Sequence, residues 1–210
     1  MRKKKIRKVI ITILIIVVAI LITSKIMGNK KEEVKRLANL YEKLNSSQTY
    51  LFEMEQNDDS KTIMAKKGDK TIIDQFTKNS HTTTIVKDNN TYLVLHDREE
   101  YYIYEQNNVE QNILTDGLLE IVAKEFVTGE QKVKGKKYRY EEYTGSTMFM
   151  ISSTLDSGEE EIKTRFYFDK EDNLVYIQTI KGVNQELLKI NIQTEVDDSI
   201  FEIPSNYAEN

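Results

Sequence analysis

From Thr49 to about Tyr104 the chain repeats one device: a short run rich in β-branched and aromatic residues, then a cluster of turn formers. Such runs read as strands over 50–56, 62–66, 71–76, 82–87, 91–96 and 101–105. Between them stand Gln56-Asn57-Asp58-Asp59-Ser60, Lys67-Gly68-Asp69, Asp88-Asn89-Asn90 and Asp97-Arg98-Glu99, the residue types that make hairpin turns. Connections this short cannot carry a crossover, so consecutive strands pair antiparallel in a meander. Leu93, Val94 and Leu95 run without a polar break, which predicts a strand covered on both faces.

Two helical stretches flank the meander. Over 31–44, Val34, Leu37, Ala38, Tyr41 and Leu44 fall on one face of a 3.6-residue period, with Lys and Glu opposite. Such a stripe is read as core packed against a sheet. Thr115 or Asp116 can cap a second helix running to Phe126, with Leu118, Leu119, Ile121 and Val122 apolar. Strands then resume over 136–143, 147–152, 161–168, 174–180 and 187–193. Within them Tyr138 and Tyr140, Phe166 and Phe168, and Arg165 and Tyr167 keep the two-residue spacing of a strand face. About eleven strands is too much sheet to leave bare, so it must curl, close or be covered by the helices. The fold class is α+β.

The start of the chain is different in kind. Residues 1–28 hold seven cations and no acid, which leaves 23 Lys and Arg against 34 Asp and Glu over 29–210. The body is therefore at −11 although the whole chain is at −4. That acidity disfavours a phosphate backbone, and no nucleic-acid partner is expected. Residues 9–24 are uncharged and apolar, about 24 Å of helix, with Ile6, Ile26 and Met27 to lengthen them and Arg7, Lys8 and Lys25 to snorkel. A basic start and apolar centre also fit a cleaved signal peptide, but no A-x-A-like pair follows the run. Residues 1–28 are thus expected to be a cytoplasmic basic tail and a transmembrane signal anchor. Lys25, Lys30, Lys31, Lys35 and Arg36 nearly balance the cation count across the span. A long domain translocates largely regardless of charge, so 29–210 is expected outside the cell membrane.

Motifs for chemistry are missing. With no Cys there is no disulfide, thiolate zinc site or acylated cysteine. Gly129 and Gly135 are separated by five residues and followed by Lys136-Lys137, which fails a phosphate loop on spacing and hydroxyl. Asp169, Glu171 and Asn173 begin like a calcium loop, but Leu174 and Ile180 stand where Gly and Glu belong. His81 and His96 lack ligand spacing and read as sheet-surface histidines. No G-x-S-x-G elbow occurs. Acids such as Glu99 and Glu100, or the run Glu159-Glu160-Glu161, read as a solvated loop or edge and not as a catalytic pair, since adjacent acids on a strand point to opposite faces. The expectation is no catalytic residue, no metal and no cofactor. Tyr101, Tyr102, Tyr104, Tyr138, Tyr140, Tyr143 and the run Met148-Phe149-Met150 either line an apolar cavity or make ordinary cross-strand pairs.

One helix, a long meander, a helical interruption, more meander, then Val196-Asp197-Asp198-Ser199-Ile200-Phe201 and the ending F-x-I-P-x-x-Y from Phe201 to Tyr207 form a familiar order. Over residues 31–207 the chain resembles the LolA-like superfamily, which includes the lipoprotein carrier LolA, the LppX lipid carriers and the germination lipoprotein GerS. The resemblance implies a half-open antiparallel β-barrel around a hydrophobic cavity, covered by helices, that holds acyl chains in the carriers. The expected lining is Leu93, Leu95, Tyr102, Tyr104, Met148, Met150, Phe166 and Phe168, with Leu118 and Val122 on the lid. Two departures matter. Residues 9–24 would tether the chain, so it cannot shuttle, and no Cys exists to carry a lipid. The Lys-, Ile-, Asn- and Glu-rich composition suits a low-GC Gram-positive bacterium. The resulting expectation is a non-enzymatic binding protein at the outer face of the membrane. Its partners would be the membrane through 9–24, a lipid or acyl chain, and an envelope or spore protein. The alternative is a protein-interaction module whose cavity is filled by its own side chains.

Overall fold

A computed structural model describes residues 35–57, 59–105, 113–145 and 161–210. The expected anchor at 9–24, the start of the first helix and the strand expected at 147–152 lie outside the described residues. No helix among those described is long and apolar enough to cross a membrane. The chain divides into two units, Met1–Lys35 and Arg36–Asn210, and the second is compact.

The second unit opens with helix α1 (Arg36–Ser46) and six strands: β1 (Thr49–Asn57), β2 (Ser60–Lys67), β3 (Lys70–Thr77), β4 (Ser80–Lys87), β5 (Asn90–Leu95) and β6 (Glu100–Glu105). Helix α2 (Ile113–Val122) precedes β7 (Phe126–Val133), β8 (Lys136–Thr144), β9 (Ile162–Phe168), β10 (Leu174–Lys181) and β11 (Asn184–Gln193). A short strand, β12 (Ala208–Glu209), ends the chain. All twelve belong to one sheet in the order β12-β6-β5-β4-β3-β2-β1-β11-β10-β9-β8-β7. Among β1 to β11 every neighbouring pair is antiparallel, as the short turns require wherever one joins the two strands. The sheet is open, with β12 and β7 at its two edges.

Three points differ from the sequence reading. Helix α2 ends at Val122 and not at Phe126, because Phe126 starts β7 opposite Tyr143 and stacks its ring on that tyrosine at 5.3 Å. Strand β7 was not expected, since Thr128, Gly129 and Glu130 interrupt its apolar pattern. Strand β12 runs parallel to β6, Ala208 beside Glu100, so the sheet is not wholly antiparallel.

Turn chemistry explains the register. Asp88 and Asn89 both take positive φ (51° and 60°) between β4 and β5, and Lys134 and Gly135 do the same (47° and 83°) between β7 and β8. Two left-handed residues in succession make the hairpin turn that matches strand twist. Gly129 has a different role. It faces Tyr140 across the β7–β8 pair, and a Cβ there would come within 3 Å of the tyrosine ring. The ring lies over the glycine on an edge strand and covers backbone that would otherwise be bare. Gly129→Ala pushes Tyr140 off this seat and away from Arg165, whose guanidinium sits 4.9 Å from the ring centre. The expected loss is about 1 kcal/mol, read as a lower urea midpoint at unchanged slope.

Both faces of the sheet are used. On the first, α1 and α2 pack over Tyr50, Phe52 and Met54 of β1, Phe166 and Phe168 of β9, Ile177 of β10, and Leu188 and Ile190 of β11. Leu37 and Leu44 of α1, with Leu114, Leu118 and Ile121 of α2, fill the space between. On the second face a smaller core gathers Ala65, Ile72, Ile85 and Val94 beneath Val196 and Phe201. Beyond it, that face of β7 to β10 is polar. Arg165 donates to Glu142 Oε2 at 2.5 Å and Gln131 Oε1 at 2.8 Å, and the Tyr167 hydroxyl donates to Gln178 Oε1 at 2.5 Å.

Candidate functional site

The residues expected to line a cavity share the first face wherever they are described. Leu93 stands opposite Tyr102, Tyr104 opposite Thr91, and Leu95 opposite Glu100. Leu93, Leu95 and Tyr102 are half-buried and Tyr104 is 52% exposed. Phe166, Phe168 and Leu118 are fully buried in the helix-covered core, with Val122 packed at its margin. Strands β5 and β9 stand seven positions apart in the sheet order. Met148 and Met150 lie outside the described residues. Where α2 meets β2 to β4 there is a gap of about 40 Å³ among Tyr50, Met64, Thr71, Ile73, Thr84, Val86 and Leu114, room for a few waters.

The larger opening is on the second face. After β11 the chain turns at Val196 and crosses β1 to β5 as a strap before pairing with β6. Its path follows from its sequence. Asp197 accepts the Ser199 amide at 2.8 Å and caps a 3-10 turn, Asp198–Phe201. Phe201 inserts into the second core with no exposed surface. Lys67 donates to the Val196 carbonyl and to Asp198, and Lys87 pairs with Glu202 at 3.0 Å. The Ala208 amide reaches the Glu99 carbonyl at 2.9 Å. The F-x-I-P-x-x-Y ending is this strap.

Between strap and sheet lies a cavity of about 210 Å³. Leu51, Ile63, Ile72, Ile85, Val94, Ile200 and Pro204 make its apolar wall. Asp74, His81, Thr83 and His96 make a polar end, with Glu202 also on the wall. Asp74 comes from β3, His81 and Thr83 from β4, and His96 from the 3-10 turn His96–Arg98 that follows β5.

These polar groups form a chain whose directions can be worked out. The Thr83 hydroxyl, with one hydrogen, donates to Asp74 Oδ1 at 2.5 Å. His96 Nε2, 2.7 Å from the same hydroxyl oxygen, must therefore be the donor there. Burial, and then the neighbouring His81, hold the His96 imidazole below the usual histidine range against the pull of Asp74 and Asp97. The ring is neutral at pH 7, so Nδ1 is bare and accepts from the Tyr207 hydroxyl at 3.0 Å. His81 Nε2 lies 2.9 Å from Asp74 Oδ1, and its backbone amide donates to Asp97 at 3.1 Å. The two imidazoles stack with centres 3.7 Å apart.

His81 and His96 are thus not separate surface histidines. They are half-buried, in ring contact, and joined through Asp74 and Thr83. Sequence spacing could not find this cluster, because only the register of two hairpins, Asp74 opposite Thr83 and Thr82 opposite Leu95, brings it together. The signal available beforehand was the Tyr207 of the tail motif, whose hydroxyl needs a partner.

No protein-family model matches the chain, and no curated protein matches it. Among solved structures the chain is similar to an uncharacterized conserved protein from Thermus thermophilus, at 9% identity and a TM-score of 0.48, over 85% of this chain and 99% of that one. It is also similar to the Mycobacterium tuberculosis lipoprotein LppX, at 12% identity and a TM-score of 0.42, over 79% of this chain and 99% of the other.

Proposed function

We propose that the chain is a LolA-like binding protein, anchored by residues 9–24 with its sheet domain outside the cell membrane, and that it binds rather than catalyses. Its ligand carries an acyl chain or comparable apolar body and a polar head. The observation behind this reading is the cavity under the strap. Seven apolar side chains line it while Asp74, His81, Thr83 and His96 stand at one end, the mixture of greasy wall and few convergent polar groups that marks ligand sites. An anchor ending near residue 24 leaves a short connection to α1, so the cavity would stay close to the bilayer from which such a ligand comes.

The test is native mass spectrometry of residues 29–210 purified from cells, followed by organic extraction. A stoichiometric lipid or acyl species is the expected result. Ile63→Trp, which fills the cavity from its half-buried wall position, is expected to abolish it at unchanged circular dichroism. A clean apo mass with no uptake of added lipid overturns the reading.

A second reading has an observation in its favour. The first face is filled by its own side chains, with Phe52, Phe166, Phe168, Leu37 and Leu118 all at 1% exposure or less. Edge strand β7 also presents Val127, 59% exposed, and an open edge can accept a partner strand. Under this reading the domain docks an envelope or spore protein and carries no lipid. A partner captured by crosslinking from β7, together with a clean apo mass, would favour it.

A further inference from the structure

We propose that Asp74, His81 and His96 bind a divalent transition-metal ion, Zn²⁺ fitting best, with two imidazole nitrogens and one carboxylate oxygen as ligands. One candidate ligand atom from each residue lies within 4.8 Å of the other two. Ligands at about 2.0–2.2 Å from a tetrahedral zinc stand about 3.3 Å from one another. His81 Nε2 and Asp74 Oδ1 are already 2.9 Å apart, and no separation has to shrink by more than about 1.5 Å, by side-chain rotation that also opens the 3.7 Å stack of the two rings.

The chemistry of the set narrows the ion. Imidazole suits zinc, copper, nickel and iron, whereas calcium and magnesium ask for a cage of oxygens. Two imidazoles and one carboxylate are a three-ligand set of the kind that leaves zinc a fourth position. The cavity wall includes all three ligands together with Thr83, so a fourth ligand would come from the cavity. A carboxylate or phosphate head of a bound ligand could supply it.

The surroundings supply what metal-bound histidines use. A ligating imidazole holds its other nitrogen by a hydrogen bond that fixes the ring. His96 Nδ1 has the Tyr207 hydroxyl at 3.0 Å. When His96 Nε2 turns to the metal its proton moves to Nδ1, and the same hydroxyl, now accepting, keeps the ring in place. His81 Nε2 exchanges its 2.9 Å contact with Asp74 Oδ1 for the metal, and a proton held there passes to Nδ1 or to solvent. Thr83 keeps its hydrogen bond to Asp74 and loses only the one it received from His96. No oxidant or reductant is involved. Tyr207 lies on the strap, so the ion would also tie the strap to the turn after β5. This inference shares a cavity with the lipid reading but does not rest on it, since the metal is assayed without lipid.

The experiment uses the full chain in detergent, freed of metal by chelator and titrated with Zn²⁺ alone, with metal content measured after desalting. One zinc per chain is expected. His81→Phe and His96→Phe keep an aromatic ring in each place and are expected to lose binding altogether. Tyr207→Phe leaves the three ligands and removes the support, for an expected drop in affinity of about 10–100-fold. Circular dichroism reports whether each variant is folded. Absence of stoichiometric zinc in the wild type overturns the proposal. So does zinc retained at full affinity by a folded His81→Phe, His96→Phe double variant.

Discussion

Phe201→Ala is expected to lower the stability of the sheet domain by about 3–5 kcal/mol, the range for deleting a buried phenyl ring. Phe201 has no exposed surface and packs among Ala65, Ile72, Ile85, Val94 and Val196 on the second face. The rest of the strap is fastened by weaker means. Its ion pairs, Lys67 and Lys70 with Asp198 and Lys87 with Glu202, have acids that are 62% exposed, and pairs of that kind contribute little. The hydrogen bond to Lys67, with the charges of Lys67 and Lys70, holds Asp198 below the usual carboxylate range. Its contribution is therefore present at neutral pH and fades as pH falls through the depressed value. The ring outweighs these contacts at any pH. Urea unfolding of the variant measures the loss, and hydrogen exchange locates it. The Ala208 and Asn210 amides, bonded to the Glu99 and Tyr101 carbonyls, are expected to exchange faster while those of β1 and β11 keep their order of protection. A stability within about 0.5 kcal/mol of wild type would mean that the polar contacts, not Phe201, seat the strap.

The strap also shows which parts of this fold could be read ahead. Hairpins announce themselves locally. Asp88-Asn89 and Lys67-Gly68-Asp69 have the residues that their turns demand, so β2 to β6 are found within one or two residues of the expected ends. The apolar stripe of α1 is equally legible, with Leu37 and Leu44 buried and Leu40 and Tyr41 packed beside them. What escapes is anything decided between distant elements. β7 carries Thr128, Gly129 and Glu130 because its glycine is roofed by Tyr140, a fact of pairing with β8 and not of propensity. Phe201-Glu202-Ile203-Pro204 is visible as a motif, yet nothing local says that it crosses five strands. Period-two spacing puts Phe166 and Phe168 on one face of their strand. It cannot say that the helices press on Phe166 and Phe168 while the cavity under the strap opens on the other side. His81 and His96 meet only through register, as does Asp74 with both.

Replacing Glu141 tests another contact that sequence cannot show, and Glu141→Ala is expected to cost about 2–4 kcal/mol at pH 7. Glu141 is a strand residue with no exposed surface, yet it serves a helix. Its Oε1 accepts the Arg36 amide at 2.6 Å, and its Oε2 accepts the Leu37 amide at 3.1 Å. These are among the donors that the first turn of α1 leaves without a helical partner. The Tyr143 hydroxyl, itself buried, donates to Oε2 at 3.0 Å. Alanine leaves these donors unmet in an apolar setting. Glutamine keeps one acceptor oxygen but turns an NH₂ toward the remaining donors, so Glu141→Gln is expected to lose less than alanine and more than nothing. The pH dependence separates charge from geometry. Burial raises the Glu141 carboxyl above its ordinary range, against the three hydrogen bonds and Arg36, which favour the charged form. The folded protein then binds this proton more tightly than the unfolded chain does. Stability from Glu141 therefore rises as pH falls through the raised value toward the ordinary glutamate pKa, and is flat below it. Glutamine has nothing to titrate, so the wild-type advantage over Glu141→Gln should widen as pH is lowered from 7 toward that range. Urea midpoints for both proteins across it decide the matter. Parallel curves would mean that burial does not govern this carboxyl. An alanine variant within about 0.5 kcal/mol of wild type would mean that the start of α1 is held by its apolar face alone.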